Sequence, residues 1–302
     1  MAQALAQGLS RDLSRPAIPA QPQRRAAMPI ADSQYGQQGS AYGGNYGNTY
    51  AGDYGGKQGT TSDEESDIPM GLPLNSETEG YIRRDFIKKV YTILSVQLCV
   101  TFGVAYYVNG LVQSNPEWAA ALQVVSMVVL CITMCVMCCC SDMLRKFPYN
   151  YGFLAVITVA ISCMVGFATF AYKTESVLLA VATTAVIFFC LTAYACFTKT
   201  DFTGMGPYLA AGLMAMIAFG FMLNLFCMFS MCPGPLTQKL YAGCGVLLFT
   251  MYIVYDTQMI VGGTHAKHQF TVDDYAFAAL NLYLDIINLF LYLLQLFGQR
   301  ND

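Results

Sequence analysis

The sequence predicts an all-α, polytopic membrane protein in which seven transmembrane helices follow a disordered N-terminal tail. Hydrophobic residues make up 55% of the 302 residues and charged residues only 12%, about half the charged share of an ordinary soluble domain. The composition also divides the chain into a polar part, residues 1–80, and an apolar part, residues 81–302. The apolar part contains seven segments near the ~20 residues that a helix needs to cross the hydrocarbon core.

The tail comes first. Residues 33–59 read SQYGQQGSAYGGNYGNTYAGDYGGKQG, with almost no aliphatic side chain. Such a tract buries too little apolar surface to offset its ordering entropy, so residues 1–80 are expected to be disordered. Two interpretations stay open: the tail recruits partners, or it is a passive solvated leader. The N-terminus also lacks the apolar stretch of a cleaved signal peptide, so the first span is expected to serve as the membrane signal.

The seven spans are separated by short connections rich in Pro, Gly and Asn, which are typical of turns. Short connections predict that helices adjacent in sequence pack antiparallel. The seventh segment carries an aspartate at its middle, which leaves open a re-entrant hairpin that would return the C-terminus to the side of the N-terminus. The predicted spans are residues 90–111, 118–140, 151–172, 176–197, 208–229, 240–261 and 275–297.

Orientation follows from Lys and Arg, which are retained in cytoplasmic loops. One side of the predicted membrane carries Arg83, Arg84, Lys88, Lys89, Arg145, Lys146, Lys199 and Lys267. The other side carries only Lys173, Lys239 and Arg300. The N-terminus is therefore predicted to be cytosolic.

Composition also excludes some classes of function. The net charge is −3, which provides no clustered basic surface for nucleic acid. The cysteines, twelve in all, lie mostly in apolar runs, where they are expected to pack as small hydrophobic residues. For Cys138, Cys139 and Cys140, at the predicted cytosolic end of the second span, S-palmitoylation stays open beside packing.

Two carboxylates lie inside predicted spans, where a charged group costs about 2.5 to 3.5 kcal/mol on insertion scales and is a functional candidate by default. Asp256 lies about five residues, or ~7 Å, from the cytosolic end of the sixth span. Asp285 lies about ten residues, or ~15 Å, into the seventh span, which runs back. The two side chains are therefore expected to meet in the cytosolic half of the membrane.

The seventh span also carries a polar stripe. Its polar residues recur at steps of four, three, four and three, which places them on one helical face. Such a face must point into the bundle or toward a water-filled path rather than into lipid. It either supports the aspartate or forms a hydrogen-bonded seam between helices. The members are Asn281, Asp285, Asn288, Tyr292 and Gln295.

A buried pair of carboxylates predicts a switch with two states. Both groups cannot be ionised cheaply at close range, so the pair is expected to share a proton and to respond to pH. When deprotonated it would attract a cation. That cation could be the side chain of Arg145 or Lys146, at the end of the second span, or a calcium ion, which prefers oxygen ligands.

Two stretches resemble the Bax inhibitor (transmembrane Bax-inhibitor-motif) family. The run DDYAFAALNLYLDIINLF at residues 273–290 is similar to the C-terminal signature of that family, and YIVYDTQ at 252–258 resembles its sixth-span motif. FIKKVY at 86–91 and TDFT at 200–203 resemble the Lifeguard branch. The resemblance covers residues 81–302.

This resemblance implies a function and a set of site residues. It implies a protein of the endoplasmic reticulum, Golgi or plasma membrane that leaks calcium in a pH-dependent way and restrains apoptosis, without a cofactor and without enzymatic activity. Asp256 and Asp285 would be the proton-sensing and ion-gating pair, with possible contact to the permeant calcium, and Arg145 would be their latch. The tail would then be a candidate binding site for cytosolic or membrane regulators of apoptosis.

The same residues suggest two rival functions. Tyr255-Asp256 fits half of an intramembrane aspartyl protease motif, but Asp285 is not preceded by Gly-x-Gly and no proline follows Pro235. A non-transporting scaffold that regulates cell death through its tail is the remaining alternative. In that case the aspartates would only hold two helices together.

Overall fold

The computed structural model describes residues 80–139, 148–229, 234–262 and 270–301. Within these residues seven helices are long and apolar enough to cross a membrane, which confirms the predicted all-α, multi-pass fold. The prediction for the tail lies outside the described residues except at Gly80. The helices are α1 (Gly80–Ser114), α2 (Pro116–Cys139), α3 (Tyr149–Phe170), α4 (Thr174–Phe197), α5 (Gly206–Met228), α6 (Pro235–Val261) and α7 (Tyr275–Phe297).

The helix ends follow the local sequence. α1 begins ten residues before the predicted span because its first turns form a polar, charged extension, in which Lys88 and Asp85 pair at 3.3 Å. α6 begins at Pro235, where the missing amide proton costs no hydrogen bond. It ends at Gly262, whose φ of 62° suits glycine. Thr271 and Asp274 form a reciprocal capping box in the single 3-10 turn that leads into α7.

α7 is the central helix of the bundle. In its most apolar 18-residue stretch 83% of the residues are buried, against 56% in α3 and α6 and 22% or less in the other four helices. It packs against α1, α3, α4 and α6, while α2 and α5 lie outside this inner group. The polar stripe of α7 is therefore surrounded by protein over most of its length.

Two pairs of sequence neighbours do not pack as the connection lengths predicted. Among the described residues, α4 packs on α6 and α7 rather than on α3 or α5. The segment after α7 occupies the connection between α3 and α4: Lys173 N donates to Gln299 O at 2.9 Å, and Asn301 N donates to Ala171 O at 3.0 Å. The segment after α7 thus pairs with the connection between α3 and α4, and these two helices lie apart although only a short loop joins them.

The re-entrant alternative for the seventh segment is wrong. α7 is one continuous helix of 23 residues, about 34 Å long. At its start, the Tyr275 hydroxyl accepts a hydrogen bond from Asn150 Nδ2 at 2.9 Å, at the beginning of α3. At its far end, Arg300 pairs with Tyr172, just after α3. α7 therefore runs beside the full length of α3 and crosses the bundle.

The outer faces of the helices are apolar. Large side chains such as Tyr106, Phe197 and Met228 are 81% or more exposed, which would be unfavourable in water and is favourable in lipid. None of the cysteines whose side chains the structure describes forms a disulfide, and all of these except the buried Cys163 lie on exposed positions. They therefore pack as small apolar groups at the lipid-facing surface. The protein is a multi-pass integral membrane protein.

Candidate functional site

The structure brings together the two aspartates that the sequence singled out. Asp256 lies five residues before the end of α6 and Asp285 lies ten residues into α7, and these two helices pack extensively. Their relative exposures are 1% and 0%. Their carboxyl groups are close enough to interact electrostatically. The two side chains thus lie near each other at the α6–α7 interface, and their place in the cytosolic half of the membrane stays a prediction.

The polar atoms of this pair are not satisfied by the described part of the chain. Asp256 Oδ2 and both carboxyl oxygens of Asp285 are buried without a hydrogen bond of good geometry to any described residue. Buried polar atoms almost always have a partner, and buried carboxylates are otherwise neutralised. The site therefore has the capacity to take up protons, water or a cation.

Tyr252 is a third member of the site that sequence reasoning missed. It lies one turn before Asp256 on the same face of α6 and interacts electrostatically with both aspartates. Its side chain is 1% exposed, and its hydroxyl has no hydrogen-bond partner among the described residues. The spacing of four residues from Asp256 was the available signal. A phenol here can donate a hydrogen bond to an ionised carboxylate.

The polar stripe of α7 divides into two parts. Asn281 lies one turn before Asp285 on the same face of α7. Its side chain is buried, and its Oδ1 has no partner within the described segments. Asn288 is only half-buried, and its Nδ2 donates to Leu284 O of the preceding turn at 2.7 Å. Tyr292 shares a hydrogen bond of 3.2 Å with Tyr241 of α6. Thus Asn281 lies with the aspartates in the interior, whereas Asn288 is satisfied by its own helix.

A hydroxyl network holds the opposite face of α7, and the sequence did not reveal it. The Tyr283 hydroxyl and Thr101 Oγ1 of α1 are 2.8 Å apart, and Ser162 of α3 donates to Thr101 Oγ1 at 3.1 Å. One turn away, Gln97 Nε2 donates to Thr158 Oγ1 at 3.0 Å. These bonds join α1, α3 and α7 inside the bundle.

A glutamine near the pair anchors a neighbouring connection. Gln258, two residues after Asp256, accepts a hydrogen bond from Phe202 N at 2.8 Å and donates to Thr200 O at 2.9 Å. The α4–α5 connection is thus tied to the end of α6 that carries the pair. A movement of this end of α6 would therefore displace both the aspartate pair and the α4–α5 connection.

The predicted latch Arg145 lies outside the described residues, as does Lys146. Arg145 therefore remains a prediction. Within the described residues there is no cluster of three or more His, Cys, Asp or Glu side chains that could hold a metal ion. Calcium at this position would be held by only the two carboxylates, supplemented by neutral oxygens, and would be bound weakly.

Comparison with known proteins places the chain in a family. The sequence model described as "Inhibitor of apoptosis-promoting Bax1" matches residues 83–302. Human "Protein lifeguard 3" is 34% identical over 227 residues, which cover 73% of this chain and 70% of the relative, and the mouse protein of that name is 31% identical over 73% and 71%. "Protein LIFEGUARD 2" of Arabidopsis thaliana is 34% identical over 74% of this chain and 91% of its own length. The chain therefore belongs to the Bax inhibitor family and has lifeguard proteins among its relatives.

Proposed function

We propose that the protein is a pH-sensitive calcium leak channel that modulates calcium homeostasis and restrains apoptosis, gated by Asp256 and Asp285. The observation that carries the proposal is the set of three carboxylate oxygens buried without a described partner at the α6–α7 interface. The restraint of apoptosis rests on the description of the family, and the chain's role in a calcium leak rests on the chemistry of the pair.

The pair provides two states. With one shared proton the two carboxyl groups can hydrogen-bond to each other and need no cation. Without it, two negative charges in a site of low dielectric repel each other strongly. The repulsion is relieved when the helices move apart, when water enters or when a cation binds. Calcium is a hard cation that prefers oxygen ligands, and a site with only two carboxylates allows it to leave again.

Arg145 would act as the latch in this scheme. A guanidinium group pairs bidentately with a carboxylate and remains charged at all relevant pH values. Contact with the deprotonated pair would keep the path closed, and protonation would release it. The positive residues that flank α1 support a cytosolic N-terminus, so that the pair lies in the cytosolic half of an intracellular or plasma membrane.

The first test is calcium flux in proteoliposomes between about pH 6 and 8, the range in which a buried carboxylate pair can titrate. Wild type is expected to leak calcium with a clear dependence on pH. Asp256→Asn and Asp285→Asn should each flatten that dependence, since neither leaves two ionisable carboxyl groups. Glu117→Gln is the matched control, because Glu117 is an exposed acid in the first turn of α2.

The outcomes separate the two candidate functions. If folded wild type shows no flux above empty liposomes, the leak function is wrong and the scaffold interpretation takes its place. If flux occurs but both aspartate variants retain the wild-type pH profile, the pair is not the gate.

A further inference from the structure

A large groove lies between α1 and α4, on the other side of α7 from the aspartate pair. Its volume is about 1240 Å³, above the roughly 300–1,000 Å³ of an ordinary small-molecule pocket. Among the described residues α1 and α4 make no extensive contact with each other. Ile286, Ile287 and Phe290 of α7 contribute to its floor. The groove is thus a gap between two membrane-spanning helices, closed behind by the central one.

The middle of the groove is apolar. Three of the lining hydroxyl groups, those of Thr101, Thr169 and Thr184, each donate to a carbonyl of their own helix, at 2.8, 3.0 and 2.7 Å respectively. Their methyl groups are left to contact an occupant. Beside them lie large apolar side chains, among which Phe102 and Phe189 are 57% and 68% exposed. The interior of the groove therefore suits hydrocarbon.

The groove is at least as long as the hydrocarbon core of a bilayer is thick, and its lining is polar at one end. On α1 its lining extends from Tyr91 to Ser114, a rise of about 35 Å, against about 30 Å for the hydrocarbon core. At the end where the α1–α2 and α3–α4 connections lie, amide and hydroxyl side chains form a polar rim. These rim residues are Asn109, Gln113, Ser114, Asn115, Thr174 and Asn301.

The lining is uncharged. No Lys, Arg, Asp or Glu is among the described residues that line the groove. The two described basic residues beside the rim are not part of the lining: Lys173 is exposed, and Arg300 lies over the Tyr172 ring at 5.8 Å. An anionic head group would lose hydration here without gaining a charged partner in the lining itself, whereas a head group of zero net charge needs only the hydrogen bonds of the rim.

We propose that this groove binds one membrane lipid with a net-neutral head group, its acyl chains lying between α1 and α4 and its head group at the rim. A methylene group and a water molecule each occupy about 30 Å³, so two 18-carbon chains fill roughly 1,000 Å³. That volume fits the groove. A bilayer cannot leave such a gap empty, because its walls would forfeit their van der Waals contacts.

The test is native mass spectrometry of the purified full chain with dioleoylphosphatidylcholine. Ala185→Trp places an indole in the groove from the middle of α4, and Ala105→Trp does so from α1. Ala182→Trp is the matched control, because Ala182 is an exposed alanine of α4 outside the lining. Wild type and the control are expected to retain one lipid under activation that removes loosely bound lipid. The two groove variants should retain at least tenfold less.

Thermal unfolding of each variant shows which are folded, and the two groove variants approach the site from different helices. If both are folded and retain the lipid at the wild-type level, or if wild type retains none, the groove is not a lipid site. Dioleoylphosphatidylserine provides the second arm. Retention of this anionic lipid equal to or above that of the phosphatidylcholine would contradict the net-neutral head group.

Discussion

Two buried tyrosines, one on each of the helices that carry the aspartates, show how the surroundings of a side chain decide its role. Tyr252 and Tyr283 are both almost fully buried. Tyr283 shares a hydrogen bond with Thr101, whereas the Tyr252 hydroxyl faces the aspartates without a described partner. A hydrogen-bonded hydroxyl stabilises the fold, whereas an unpaired one beside two carboxyl groups is available to donate a hydrogen bond to them.

This difference predicts the effect of removing each hydroxyl. Tyr283→Phe should lower the free energy of unfolding by about 1 kcal/mol, the net worth of a buried hydrogen bond. Tyr252→Phe should change it by less, because the structure shows no bond to lose. Reversible unfolding in mixed micelles measures both changes in the free energy of unfolding. Because each variant loses only one hydroxyl group, each serves as the control for the other. Equal losses would contradict the assignment of Tyr283 to a structural network.

At the scale of elements, the contact between α6 and α7 is unusually close at one point. A Cβ added to Gly245 would lie 2.6 Å from ring carbons of Tyr292. Two residues earlier, a Cβ on Gly243 would meet nothing within 4 Å. The same helix thus offers one glycine that the packing requires and one that it does not.

Gly245→Ala is expected to destabilise the protein by about 1 to 3 kcal/mol, the usual effect of overpacking a well-packed contact. Gly243→Ala should be neutral or stabilising by up to about 1 kcal/mol, since alanine favours helix. Thermal unfolding of the two variants side by side checks this. A tolerated Gly245→Ala would mean that the Tyr292 ring is free to move away from α6.

At the scale of the whole molecule, the described helical bundle begins at Gly80 and contains all seven candidate spans. We therefore expect residues 80–302 to insert and fold without the tail. Their free energy of unfolding should lie within about 1 kcal/mol of that of the full chain, and calcium flux should be unchanged. Loss of cell-death protection with flux intact would assign that protection to the tail; loss of the fold would contradict the domain boundary.

Much of this architecture could be predicted from the sequence, because the bilayer imposes the length of each helix and a high cost on each buried charge. The seven spans and the meeting of Asp256 with Asp285 follow from those two constraints. The arrangement of neighbours did not follow: the separation of α3 from α4 depends on Gln299 and Asn301, which are distant in sequence. Tyr252 was also missed, although its spacing of four residues from Asp256 was a signal, and the Thr101–Tyr283 network was missed because it joins hydroxyl groups that are distant in sequence.

The central position of α7 has a consequence for how the protein is made. The helix with 83% of its apolar stretch buried follows the other six in the chain, so it leaves the ribosome after them. Until then α1, α3, α4 and α6 lack the helix on which their inner faces pack, and the Asp256 carboxyl group lacks its partner on α7. The incomplete bundle must be held by insertion factors or lipid. A chain that stops before Tyr275 would therefore be recognised as defective in spite of containing six of its seven spans.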